Sequence, residues 1–129
     1  MRRGMIGVAL ATLFFSVVQV QADSDEYLNF TAPFQMKASA YCCGEYTATE
    51  KPVREGFCAG KPEWIGQTAV VYEDVDGKIG PMIGIYEIED TGGNLIQSGE
   101  RLDIYNPNYD WCIQFGVQTV WVQLTEAEG

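Results

Sequence analysis

From residue 34 onward the chain alternates apolar and polar side chains in short runs, separated by Gly, Pro, Asn and Asp. FQMKASAY (34–41) sets Phe34, Met36, Ala38 and Ala40 on one face, the two-residue period of a strand half in the core. QTAVVYE (67–73) reads the same way, and the EDVDGK after it supplies an Asp-Gly hairpin turn. In IGIYEIED (83–90), Ile83 and Ile85 share a phase that Ile88 breaks, which predicts a bulge near Tyr86. RLDIY (101–105) buries Leu102 and Ile104 and turns Arg101, Asp103 and Tyr105 outward. VQTVWVQL (117–124) puts Val120, Val122 and Leu124 inside. Helical spacing is confined to YDWCIQFG (109–116), one or two turns capped by Asp110 and ended by Gly116. Five or six short strands with irregular loops predict an all-β, closed or nearly closed barrel. Residues 23–33 and 125–129 read as loose ends.

The start of the chain has another pattern. Arg2 and Arg3 precede an unbroken apolar run, MIGVALATLFFSVV, and the small residue Ala22 precedes DSDE. That is the layout of an export signal over residues 1–22, leaving one domain over 23–129. A secreted protein with no stable membrane insertion after cleavage is expected. The mature part then carries six Lys and Arg against eighteen Asp and Glu. This balance argues against a nucleic-acid partner.

One absence and one count narrow the chemistry. There is no histidine in the 129 residues, so the Ser-His-Asp and Cys-His nucleophiles are excluded. Any catalysis must use carboxylates, tyrosine or backbone dipoles. The four cysteines, Cys42, Cys43, Cys58 and Cys112, are an even number in an exported chain, which predicts two disulfides. Three pairings are possible; a vicinal bridge would be strained, so Cys42 and Cys43 are expected to join Cys58 and Cys112 in one order or the other. Vicinal cysteines without histidine do not suit zinc, and no metal or cofactor is expected.

The acids that invite chemistry are Asp90 and Asp103. Asp90 ends a strand and runs into Thr91-Gly92-Gly93, while Asp103 lies mid-strand on the face opposite Leu102 and Ile104. If the two share a cleft, their mutual repulsion raises one pKa and supplies a carboxylic acid near neutral pH. Such a pair breaks glycosidic bonds. Trp64 and Trp111 are candidate sugar-stacking aromatics, and Glu87 and Glu89 read as solvated.

The order AxAY (Ala38, Ala40-Tyr41), DTGG (90–93), G-x-x-x-DIY (Gly99, Asp103–Tyr105) and QFGVQTVWVQL resembles the three-aspartate (3D) domain family. So does the stretch from CAG through WIG to DTGG. The resemblance spans about residues 35–124. It implies a six-stranded double-psi β-barrel with short helical turns, related to the catalytic domain of membrane-bound lytic transglycosylase A and to the stationary-phase survival muralytic enzymes. It implies Asp103 as the general acid, Asp90 as its partner, and Tyr41, Thr91, Gly92 and Tyr105 lining the cleft. The implied activity is lytic transglycosylation of peptidoglycan or another β-linked glycan by a secreted monomer. The alternative is an expansin-type module that binds or loosens wall glycan without cutting it. Two departures stand out. Where the family has its first aspartate this chain reads Ala69-Val70-Val71-Tyr72, and the spacing between Asp90 and Asp103 is two residues longer than the commoner pattern.

Overall fold

The computed structural model describes residues 18–21 and 27–125. The expected signal segment and its cleavage point lie outside these residues, except for Val18–Gln21 (β1), which pairs antiparallel with Tyr27–Phe30 (β2). The remaining strands are β3 (Phe34–Tyr41), β4 (Phe57–Ala59), β5 (Thr68–Val75), β6 (Lys78–Asp90), β7 (Arg101–Tyr105) and β8 (Gln118–Leu124). They form one closed sheet in the order β3–β7–β4–β6–β5–β8, with β8 pairing back onto β3. The fold is mostly β, as the alternation predicts. Two short helices interrupt it, α1 (Asn94–Gln97) and α2 (Tyr109–Phe115).

The interior is filled by the residues that the two-residue period selects. Met36, Ala38, Val71, Leu102, Ile104, Val120, Val122 and Leu124 are buried in one cluster. At roughly 25 cal/mol per Å2 of apolar surface removed from water, this cluster is the main stabilising element of the fold. Tyr86 and Ile88 join it, while Ile85 is 58% exposed. The break in β6 therefore falls elsewhere than Tyr86. Val71 faces Gly84 but Tyr72 faces Met82, so Ile83 is the extra residue, and a second extra residue, Glu89, lies between the rungs Cys58–Ile88 and Ala59–Asp90. The hairpin turn forms as predicted, with Asp76 and Gly77 both at positive φ (54° and 81°). That is the conformation whose twist matches the strands it joins. β6 pairs with β5 over Lys78–Glu87 and with β4 over Glu87–Asp90, so only Glu87 has a strand partner on both sides; before it, β6 has β5 on one side and no strand on the other among the described residues.

Three details correct the sequence reading. The segment before β3 is not loose: the Thr31 amide donates to the Leu124 carbonyl and its Oγ1 accepts from the Leu124 amide. α2 is capped by the Asn108 side chain, which accepts from the Trp111 amide, and not by Asp110; Gly116 at φ 61° ends it as predicted. No two of the four cysteines stand at bonding distance, so the two expected disulfides are not supported. Cys58 belongs to β4 and points into the sealed core, where burial pushes its pKa well up. Cys112 lies buried on α2 and its thiol donates to the Asn106 carbonyl, while Cys43 is exposed in the loop after β3.

Candidate active site

Parallel pairing of β3 with β7 aligns Lys37 with Arg101, Ser39 with Asp103 and Tyr41 with Tyr105. Residues opposite one another point to the same face, so these six side chains form three rungs on the outside of the barrel. Leu102 and Ile104 fill the inside, which fixes the outward direction of Asp103. On its other side β7 pairs with β4, where Ala59 lies opposite Asp103. Ala59 also lies opposite Asp90 of β6. The two aspartates are thus level with one another, separated by a single short strand whose residue at that level has only a methyl group. Two inter-strand spacings put their backbones roughly 10 Å apart.

The carboxyl groups have different surroundings. Asp103 Oδ1 accepts a hydrogen bond from Ser39 Oγ at 2.9 Å. Burial pushes the Asp103 pKa up; Ser39 and Arg101 pull against this and the Asp90 charge adds to it, with a net upward shift. Asp90 Oδ1 accepts from two backbone amides, Ala48 and Thr91, each at 2.9 Å. Both carboxyls are held through Oδ1, Asp90 by two backbone amides and Asp103 by one hydroxyl.

Tyr41 completes the group. Its ring meets Tyr105 edge-on with centroids 5.4 Å apart. Its hydroxyl is buried and turned toward the Asp90 carboxyl, without a well-formed hydrogen bond. Burial, then the charges of Asp90 and Asp103, push its pKa far up, so the phenol stays protonated. A buried hydroxyl without a good partner costs about 1–3 kcal/mol, a penalty that a bound ligand atom would relieve. The Thr91 hydroxyl, one residue past Asp90, is also buried without a partner. Gly92 has a packing reason to be glycine, because a Cβ there would stand 3.0 Å from Ile96 of α1.

The loop 42–56 closes over the Asp90 end. Besides the Ala48 contact, Thr49 Oγ1 donates to Glu89 Oε1 at 2.9 Å and Lys51 Nζ pairs with Glu89 Oε2 at 3.0 Å. Glu89 is 7% exposed, so it is not the solvated acid that the strand alternation predicts. As the extra residue of the bulge it turns toward the loop. Ser39, Ala59, Glu89 and Lys51 are the site residues that the sequence reading misses. Ser39 could have been found from the alternation of β3, which puts it on the face of Tyr41.

The two candidate sugar-stacking tryptophans have packing partners of their own. Trp64 packs against the core and Phe34, with Lys61 over its ring. Trp111 stacks on Phe115 at 5.0 Å and lines a cavity of about 390 Å3 with Met82, Ile83 and Glu73. Among the described residues no three His, Cys, Asp or Glu side chains converge as a metal site would require, and no helix is long and apolar enough to cross a membrane.

Comparison with family profiles, with curated proteins and with solved structures finds no match. The functional reading therefore rests on the arrangement of these side chains.

Proposed function

We propose that this chain is a secreted 3D-type double-psi β-barrel that cleaves peptidoglycan or a related β-linked glycan as a lytic transglycosylase. The observation that carries the reading is the rung Asp103–Ala59–Asp90, an outward acid and a second carboxylate level across one strand. The closed six-strand order and the position of DTGG at the end of β6 agree with the family resemblance.

The chemistry follows from the two environments. Ser39 occupies Asp103 Oδ1, which leaves Oδ2 to carry the proton. The upward pKa of Asp103 keeps that proton available at higher pH than for an ordinary aspartate. Asp103 protonates the glycosidic oxygen as its bond to C1 breaks. Its carboxylate then takes the proton of the sugar 6-hydroxyl, whose oxygen closes on C1 to give a 1,6-anhydro end. Asp103 ends as it began, and no water is consumed. Asp90, held by two amides, faces the positive charge that develops at C1. Tyr41 and Tyr105 offer aromatic edges and a phenol to the sugar.

One observation favours the non-cleaving, expansin-type alternative. At the place of the family's first aspartate, Val71 is fully buried and Tyr72 spends its hydroxyl on Gln123 at 2.6 Å. No third acid enters the cleft from β5. A transglycosylase needs only one acid/base and tolerates this, whereas an inverting hydrolase would have to use Asp90 as its separate base. The test is incubation with peptidoglycan and mass spectrometry of the products, with Asp103→Asn alongside. Anhydro ends from the unmodified protein alone support cleavage through Asp103. Glycan binding without any release moves the assignment to the binding module.

A further inference from the structure

Cations are scarce in this chain, and half of the six in the domain are engaged. Lys51 pairs with Glu89, Arg54 lies 3.7 Å from Glu87 and over the Phe57 ring, and Lys61 sits over Trp64. Lys78 stands by itself at the β5–β6 turn. The other two, Lys37 and Arg101, are directly opposite one another on β3 and β7. Neither forms an ion pair with a carboxylate among the described residues. The Arg101 Nε is also buried and has no hydrogen-bond partner.

Two like charges placed side by side on neighbouring strands repel, and a buried guanidinium nitrogen without an acceptor adds a desolvation cost. The Asp103 carboxylate one rung away offsets part of this cost, and a bound anion would offset more. The cation pair lies one rung along from Ser39 and Asp103, about 7 Å per two residues of strand, which is within one sugar of the proposed point of cleavage. Arg101 presents the planar fork that matches a carboxylate, and Lys37 is exposed and free to reach it.

We infer that Lys37 and Arg101 form an anion subsite that selects a carboxylate-bearing sugar next to the reacting bond, an inference that rests on the glycan reading above. The substrate class is an acidic glycan, not a neutral one. In a protein whose overall charge repels anions, this local pair supplies the attraction that the rest of the surface denies. The rung order along β3 and β7 is then cation pair, acid, aromatic pair. A glycan strand lying along it meets recognition, proton transfer and stacking in sequence.

The experiment measures binding to the full chain carrying Asp103→Asn, by calorimetry, with two oligosaccharides of equal length. One is a denuded strand of alternating N-acetylglucosamine and N-acetylmuramic acid with free lactyl carboxylates; the other is neutral oligo-N-acetylglucosamine. The acidic strand should bind at least about tenfold more tightly at low salt, as one charge-assisted contact gives. Arg101→Gln should remove most of that preference while leaving the neutral oligomer unchanged, and Arg101→Lys should restore part of it. Lys37→Gln, at an exposed position where folding is not at risk, should reduce the preference several-fold. A preference that survives in both variants, or no preference at all, overturns the anion subsite and leaves the glycan reading intact. Failure of the parent protein to bind either oligosaccharide overturns both.

Discussion

The two flanks of the barrel are built to different ends. On the side of β3, β7 and β4, polar groups crowd together with unmet needs: a raised carboxyl, a phenol without a well-formed hydrogen bond, an unpaired guanidinium. On the side of β5 and β8 the polar groups of the strands pair with one another, and only Gln67 Oε1 at the entry to β5 is buried without a partner among the described residues. Asp74 accepts from Gln35 and from the Trp121 indole at 2.9 Å each, which holds its carboxyl below the usual range, and Tyr72 bonds Gln123. Both flanks use the same alternation and enclose the same core. The difference is that one spends its hydrogen bonds internally and the other keeps them open, which is how a site differs from a scaffold.

The largest test of that contrast is chemical. Asp103→Asn should lower peptidoglycan turnover by about 10²–10⁴-fold, the usual contribution of a general acid, with glycan binding retained. Asp74→Asn, an acid of the quiet flank, should leave turnover unchanged. Next comes the shared core: Leu102→Ala, fully buried beneath Asp103, should cost about 2–5 kcal/mol in chemical denaturation. Met82→Ser, 55% exposed on the other flank, should stay within about 0.5 kcal/mol.

The loop clasp gives an intermediate effect. Burial pushes the Glu89 carboxyl up, but the Lys51 and Thr49 contacts outweigh it and hold it below its ordinary range. Its stabilising contribution is thus full above the unfolded value near about 4.3 and fades as pH falls through the folded one. Glu89→Gln should cost about 1–3 kcal/mol at pH 7, and the gap from the parent protein should close in acid.

The smallest effect is a displacement of a pH profile. Asp103 has the opposite sign: folding raises its pKa, so its ionisation weakens the fold as pH climbs from about 3.9 through the folded value. Turnover that needs its proton should fail over the same climb. Asp90→Asn removes one cause of the shift, and the alkaline limb of the rate profile should move to lower pH. An unmoved limb would separate the two acids.

Strands whose residues alternate cleanly were legible from the sequence. β3 and β7 have the predicted ends, and Leu102 and Ile104 are buried as expected. The outward direction of Asp103 follows from them. β4 was not legible, since its three residues Phe57, Cys58 and Ala59 are all buried and show no period. Yet β4 is what brings the aspartates level. Its partners are 30 residues or more away in sequence, and no local pattern encodes a parallel pairing with β6. Glu89 was misread for a related reason, because a bulge reverses the face that alternation assigns. The cysteines mislead by composition: an even count in an exported chain suggests bridges, whereas Cys58 is one of the core's apolar fillers.

The uneven pairing of β6 has a consequence for how copies of this protein meet. Between Lys78 and Tyr86 the strand has a free margin, with Ile79, Met82 and Ile85 at the surface, the kind of border along which chains zip into fibrils. Pro81 has no amide proton to offer there, Lys78 puts a charge at its head, and the extra residue Ile83 bends it out of line. Restoring a straight, fully donating strand with Pro81→Val should leave the fold intact and make concentrated solutions self-associate, visible as a rise in light scattering over hours.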